Sequence, residues 1–255
     1  MRKKIMIGMA VLMLAAAGFL FSDNLKVILT YKEFDTQQKE LVETYTTYQE
    51  PTSSEEKDEQ PSVVIPDIGV DFDALQKVNP DIIGWIYIPG TKTNNPILLG
   101  DDNNEYLHTN YKKSYQYMGS IFAHYETSPL LDDAYTVLFG HNMRSGRMFG
   151  DLSNYSSKSF REQYPYVYLY TPQKNIRFTI FAAGYVDAND PDIYSFGYEY
   201  RTEALKNLID KINRNRLYDP GVLVSEDRQI LCLSTCTAGR AKTERFVVHC
   251  IAENV

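Results

Sequence analysis

The feature that most constrains the fold is a succession of short, strand-like segments separated by turn residues. They cover 82–89, 96–99, 119–123, 134–139, 166–170, 176–185, 229–235 and 245–251, with Gly, Pro and Asn punctuating them. Apolar and aromatic runs of this length and spacing suit the strands of a sandwich or barrel. The 20 tyrosines and 12 phenylalanines point the same way, because aromatic side chains fit pleated, half-buried surfaces. One helical pattern interrupts the series: over 202–213, Leu205, Leu208, Ile209 and Ile212 fall on one face. A shorter helix is predicted over 71–78, capped by Asp71 and stopped by Asn79-Pro80-Asp81.

Ahead of this region the chain changes character. A cationic head, Met1-Arg-Lys-Lys4, precedes an uninterrupted apolar run over 5–21. That run is at the lower limit for spanning a bilayer as a helix. The basic head predicts a single pass with the N-terminus inside and the bulk of the chain outside the cell membrane. Ala15-Ala-Ala17 supports a competing reading, a cleaved signal peptide, whereas the continuing Gly18-Phe-Leu-Phe21 favours a retained anchor. A helix is predicted over 34–48, with Asp35-Thr-Gln-Gln38 as a capping-box-like start. Residues 51–61 contain no apolar side chain and read as a flexible linker. The expected division is a cytoplasmic head (1–4), an anchor (5–21), an extracellular helix and linker (22–66) and a globular domain (67–255).

A net charge of -7 with no basic stripe excludes nucleic acid as a partner. Three cysteines do not make a disulfide framework. Cys232 and Cys236 lie on one strand, roughly 13 Å apart at about 3.3 Å per residue. A disulfide needs Cα atoms within about 7 Å. Zinc would need further ligands converging on this pair, so no metal or other cofactor is expected.

Chemistry concentrates where strands end. Gln229-Ile-Leu-Cys-Leu-Ser-Thr-Cys236 alternates so that Ile230, Cys232, Ser234 and Cys236 share one face, and Thr237-Ala-Gly239 then breaks the strand. A thiol at that position has a rigid scaffold below and access above. The plainer reading is a cysteine used as a small buried hydrophobe. A cysteine nucleophile needs a base or cation beside it. Of four histidines, His249 sits within a strand and reads as a satisfied core or barrel-surface residue. His108 and His124 lie near strand ends and read as structural. His141 follows the apolar strand ending at Phe139 and opens into Asn142-Met-Arg-Ser-Gly-Arg147, a position equivalent to that of Cys236. Arg245, across the next turn, and Arg240, in the turn itself, are the two candidates for stabilising an oxyanion.

Leu233-Ser-Thr-Cys236 followed by Arg245-Phe-Val-Val, together with Phe139-Gly-His-Asn-Met-Arg-Ser-Gly-Arg-Met-Phe-Gly-Asp-Leu152, resembles the signature of the sortases, membrane-anchored cysteine transpeptidases of Gram-positive bacteria. Asp71-Phe-Asp-Ala-Leu-Gln-Lys-Val-Asn-Pro-Asp-Ile-Ile-Gly-Trp-Ile86, Asp101-Asp-Asn-Asn-Glu-Tyr-Leu107 and the helix over 202–213 are similar to class B members. The resemblance covers 67–255 and implies a mainly β fold: a closed eight-stranded barrel with peripheral helices, the long one inserted before the cysteine strand. It implies Cys236 as nucleophile, His141 as general acid/base and Arg245 as the substrate-positioning or oxyanion-stabilising group. Asn103, Leu107, Ser234 and Tyr194 map onto family substrate contacts. The implied partners are exported proteins bearing a C-terminal, Asn-Pro-type sorting motif, and an amine acceptor on a cell-wall precursor or a pilin. Two departures stand out: Cys232 replaces the usual threonine, and the nine-residue Cys–Arg spacing keeps Arg240 as an alternative. A secreted cysteine peptidase, or a non-enzymatic anchored β-barrel module, are the rival readings.

Overall fold

The computed structural model describes residues 25, 27–49, 65–236 and 243–253. The chain divides into two units, 1–44 and 45–255. In the first, helix α1 covers residues 27–45, ending one residue past the unit. The predicted anchor at 5–21, its basic head and the linker at 51–61 lie outside the described residues. Among the described residues no helix is long and apolar enough to cross a membrane.

The helix expected over 34–48 stops earlier than predicted. Residues Thr46–Gln49 form strand β1, which pairs antiparallel with β2 (Asp67–Val70). Thr46 and Thr47 are β-branched and lose side-chain freedom in a helix, so a partner strand readily captures them. Helix α2 (Phe72–Val78) follows, with the Asp71 carboxylate accepting from the Ala74 N–H at 2.9 Å.

The remaining strands are β3 (Ile82–Tyr87), β4 (Asn94–Leu99), β5 (Ile121–Ala123), β6 (Tyr135–Phe139), β7 (Tyr166–Tyr170), β8 (Asn175–Asp187), β9 (Ile230–Cys236) and β10 (Glu244–Ala252). They close into one barrel in the order β10-β8-β7-β3-β4-β5-β6-β9. The β4–β5 and β6–β9 pairs are parallel and the others antiparallel. The mainly β barrel with peripheral helices implied by the sequence is therefore the observed fold. A 3-10 segment (Gly150–Ser156) and α3 (Lys158–Gln163) add a short helical layer that the sequence pattern did not show.

Helix α4 (Glu203–Asn215) lies where the apolar stripe predicts it, capped by Thr202, whose hydroxyl accepts from the Leu205 N–H at 3.3 Å. Leu205, Leu208, Ile209 and Ile212 pack on Tyr135, Val137, Phe181, Ile230, Cys232 and Val247. Burying each such aliphatic side chain is worth about 1.5–3 kcal/mol. Cys232 and Ile230 face α4, so strand alternation turns Leu231 and Leu233, equally buried, to the opposite face. Strand β9 is thus covered on both sides, which explains its unbroken apolar run.

Candidate active site

Backbone register brings the three candidate residues of the sequence motif to one rim. In the parallel β6–β9 pair Phe139 lies opposite Ser234, and the Gly140 N–H extends the ladder to the Ser234 carbonyl at 3.2 Å. His141 is two residues past Phe139 and Cys236 two past Ser234. They therefore leave the ladder at the same level, on strands about 4.8 Å apart. On the other side of β9, antiparallel pairing sets Arg245 opposite Cys236. The order β6–β9–β10 puts the cysteine between the histidine and the arginine. Arg240 lies outside the described residues.

His141 sits at the mouth of a closed loop. Its carbonyl accepts from the Met143 and Phe149 N–H groups, and Asn142 bridges to Met148. The Thr93 hydroxyl and the Lys92 ammonium tie the loop from outside, through the Met148 and Ser145 carbonyls, each at 2.6 Å. The ring itself is held by the segment after β4. Its Nε2 lies 2.7 Å from the Leu107 carbonyl. A carbonyl only accepts, so Nε2 carries the proton and Nδ1 is the nitrogen left to exchange one. His108, the next residue, stacks on the His141 ring at 5.5 Å and is itself fixed by Nδ1 to the Tyr117 carbonyl at 3.0 Å. Burial lowers the His141 pKa. The bond to Leu107 opposes that shift, and the neighbouring His108 charge adds to it.

Tyr106 is the reason Leu107 can do this. Its ring is fully buried, its hydroxyl donates to the Asp81 carboxylate and accepts from Asn79 Nδ2 at 3.0 Å, and burial raises its pKa. Gly119 closes the arrangement. It has φ +56, and a Cβ there would lie 2.3 Å from the Leu107 oxygen. Only glycine permits that approach.

A cavity of about 360 Å³ opens at the rim. His141 and Arg245 line it, and so do all four residues assigned from sequence to substrate contact: Asn103, Leu107, Ser234 and Tyr194. Asn103 accepts the Tyr125 N–H at 3.1 Å. The Tyr194 hydroxyl and Ser234 Oγ are 2.7 Å apart, and burial raises the tyrosine pKa. Tyr194 is positioned from the loop between β8 and α4. Ile193 buries beneath α4, and the Lys211 ammonium grips Asp190 and Asp192 at 2.6 Å each. Arg245 Nη1 donates to the Glu244 carbonyl at 3.1 Å. Asp187, at the end of β8, has a lowered pKa, chiefly because it accepts the Asn189 N–H, with the Arg245 charge contributing.

The cavity also holds residues that sequence reasoning passed over: Phe122, Phe139 and Phe196 form apolar wall, and His124 is among them. His108 and His124, both read as structural, belong to the site's surroundings. Their only sequence signal was proximity to strand ends. His249 is buried, as expected, but not satisfied: its Nε2 has no partner among the described residues, and burial lowers its pKa to about 3. Cys232 is wholly buried, with its thiol pushed up to about 12 by burial, and burial raises the Cys250 thiol well above its ordinary value as well. Neither is a thiolate at neutral pH. Among the described residues no metal-binding group of three or more His, Cys, Asp or Glu side chains is present.

Known proteins resemble this chain in sequence and in fold. Residues 86–253 match the sortase domain family. The chain is 36% identical over 163 residues to sortase B of Listeria monocytogenes, a match covering 64% of this chain and 65% of that protein, just under two thirds of its length. The crystal structure of Clostridium perfringens sortase B superposes with a TM-score of 0.66 at 30% identity, covering 71% of this chain and 99% of that one. A Bacillus anthracis sortase B gives 0.71 at 26% identity, covering 89% and 100%. With a domain match across most of the barrel, and relatives of one class in both sequence and structure, the chain belongs to the sortase family and is sortase B-like.

Proposed function

We propose that the protein is a class B-type sortase, a cysteine transpeptidase that cleaves a C-terminal, Asn-Pro-type sorting motif of exported proteins and transfers the acyl group to an amine. What supports this reading is the backbone register, in which the end of β9 at Cys236 lies between Arg245 of β10 and the segment after β6 that carries His141, together with a cavity lined by His141 and Arg245.

In the first half-reaction the Cys236 sulfur attacks the scissile carbonyl carbon, and its proton passes to His141 Nδ1. Arg245 stabilises the oxyanion that forms. Collapse of the tetrahedral intermediate breaks the C–N bond. The Nδ1 proton goes to the leaving amine, and a thioester remains on Cys236. In the second half-reaction an amine of a cell-wall precursor or a pilin attacks the thioester carbon. His141 takes its proton, and the thiolate departs as the new amide forms. Asn103, Leu107, Ser234 and Tyr194 contact the sorting peptide along the cavity.

The apolar run at 5–21 is proposed to anchor the enzyme, N-terminus inside, where exported substrates and membrane-linked acceptors both pass. Incubating the enzyme with a sorting peptide, with and without an amine acceptor, tests the reading. Amine-dependent formation of a new amide product is expected, and hydrolysis unaffected by amine would point to the peptidase alternative.

A further inference from the structure

His124 is a titratable cavity side chain that the proposed reaction leaves unused. It directly follows β5, its backbone N–H donates to the Val137 carbonyl at 3.1 Å, and the residue is 6% exposed. Phe196 lies face to face with the ring, within 10° of parallel, and the Phe139 ring centre is 6.4 Å away. Its Nδ1 accepts the Glu126 backbone N–H at 3.3 Å. A neutral imidazole carries one N–H, so an accepting Nδ1 places the proton on Nε2. Burial lowers the ring's pKa, and the Glu126 carboxylate, 3.9 Å from Nδ1, opposes this only in part. Burial thus favours the neutral ring, and the accepting Nδ1 sets its tautomer.

The ring's one hydrogen bond among the described residues is at Nδ1, so Nε2–H meets no acceptor there, and the residue lines the cavity. A donor set among Phe122, Phe139 and Phe196 is desolvated by any occupant that cannot accept from it. We propose that His124 Nε2–H is a specificity-determining donor that reads an uncharged side-chain carbonyl of the bound peptide, of the carboxamide (Asn or Gln) class. A cationic side chain offers no acceptor. An anionic one meets the nearby Glu126 and a chain of net charge -7. This inference rests on the sortase reading and adds to it a residue that selects the peptide.

The test compares kcat/KM of the full chain for an Asn-Pro-type sorting peptide and for analogues in which each carboxamide side chain becomes leucine. It is run for the wild type and for His124→Phe, which keeps the stacking surface and lacks the N–H. At one peptide position the wild-type preference for carboxamide over leucine should be at least about tenfold, the scale of one hydrogen bond. That ratio should collapse toward one in His124→Phe at the same position. An unchanged ratio overturns the inference and leaves the transpeptidase reading standing. A wild type that turns over no peptide takes down both.

NMR of the histidine rings in Cys236→Ala is independent of how the Phe variant folds. His124 should show the Nε2–H tautomer and a shift on adding the carboxamide peptide that the leucine analogue does not cause. An Nδ1–H tautomer, or equal shifts with both peptides, overturns it.

Discussion

Arg245 pairs with Cys236 across the β9–β10 ladder, so the backbones of the two residues are fixed relative to each other by strand pairing. The proposed oxyanion role of Arg245 makes a direct prediction, since donors placed where charge develops are the largest stabilising contribution in acyl transfer. Arg245→Ala should therefore reduce kcat/KM by about 2.7–4 kcal/mol in transition-state terms, the range for a lost oxyanion-hole donor. Arg245→Lys should recover little, because a point charge does not reproduce the planar fork of a guanidinium. Steady-state kinetics on a sorting peptide, with thermal melts to confirm folding, measures both.

The Leu107 carbonyl orients His141, and Gly119 gives that carbonyl its place. Gly119→Ala removes no reactive group, yet its Cβ would collide with the Leu107 oxygen in a backbone conformation of positive φ. Turnover should fall at least about tenfold, as expected when a catalytic group is misplaced on a near-ångström scale. NMR should show the His141 Nε2–H resonance shifted or broadened. Normal turnover with an unshifted His141 would separate the carbonyl from the chemistry.

Stacking of His108 on His141 makes a second, electrostatic prediction. A charge on His108 disfavours a second charge on His141 and so lowers its pKa, alongside the larger effect of burial. His108→Phe keeps a ring on the same face and removes the titratable group. The His141 pKa should rise, and the limb of the kcat/KM pH profile that reports it should move to higher pH. Titration of the His141 ring by NMR checks the direction.

His249 predicts an acid-sensitive core. Its folded-state pKa, about 3, lies far below the ordinary 6.5, so the unfolded chain takes up the proton first. The stability that neutral His249 preserves is complete above pH 6.5 and drains away as pH falls toward 3. His124 and His141, also lowered, act in the same sense. His249→Leu removes a buried, unpartnered nitrogen and should raise stability by about 1 kcal/mol at neutral pH. It should also flatten the dependence between pH 6.5 and 4 by up to one proton. Urea denaturation at several pH values measures both effects.

Much of this site was legible because its parts are local. Cys236 and His141 each end an apolar strand and enter a polar turn, and α4 carries an uninterrupted stripe. What joins the parts was not legible. The parallel β6–β9 register that levels His141 with Cys236 is a pairing across nearly a hundred residues, on which strand alternation is silent. Strand β1 was hidden in a predicted helix because its partner, β2, lies beyond the polar linker. Tyr194 is set by Ile193 burying under α4 and by Lys211 gripping two aspartates, contacts between a loop and a later helix. His108 and His124 looked ordinary in sequence because tautomer and stacking are tertiary properties.

The central claim is that Cys236 carries the acyl group. Mass spectrometry of the enzyme trapped with an Asn-Pro-type sorting peptide tests it most directly. The expected result is an adduct of the cleaved peptide, mapped to Cys236, retained in Cys232→Ala and Cys250→Ala, and absent in Cys236→Ala. An adduct mapped to another residue, or one that persists in Cys236→Ala, would contradict the account.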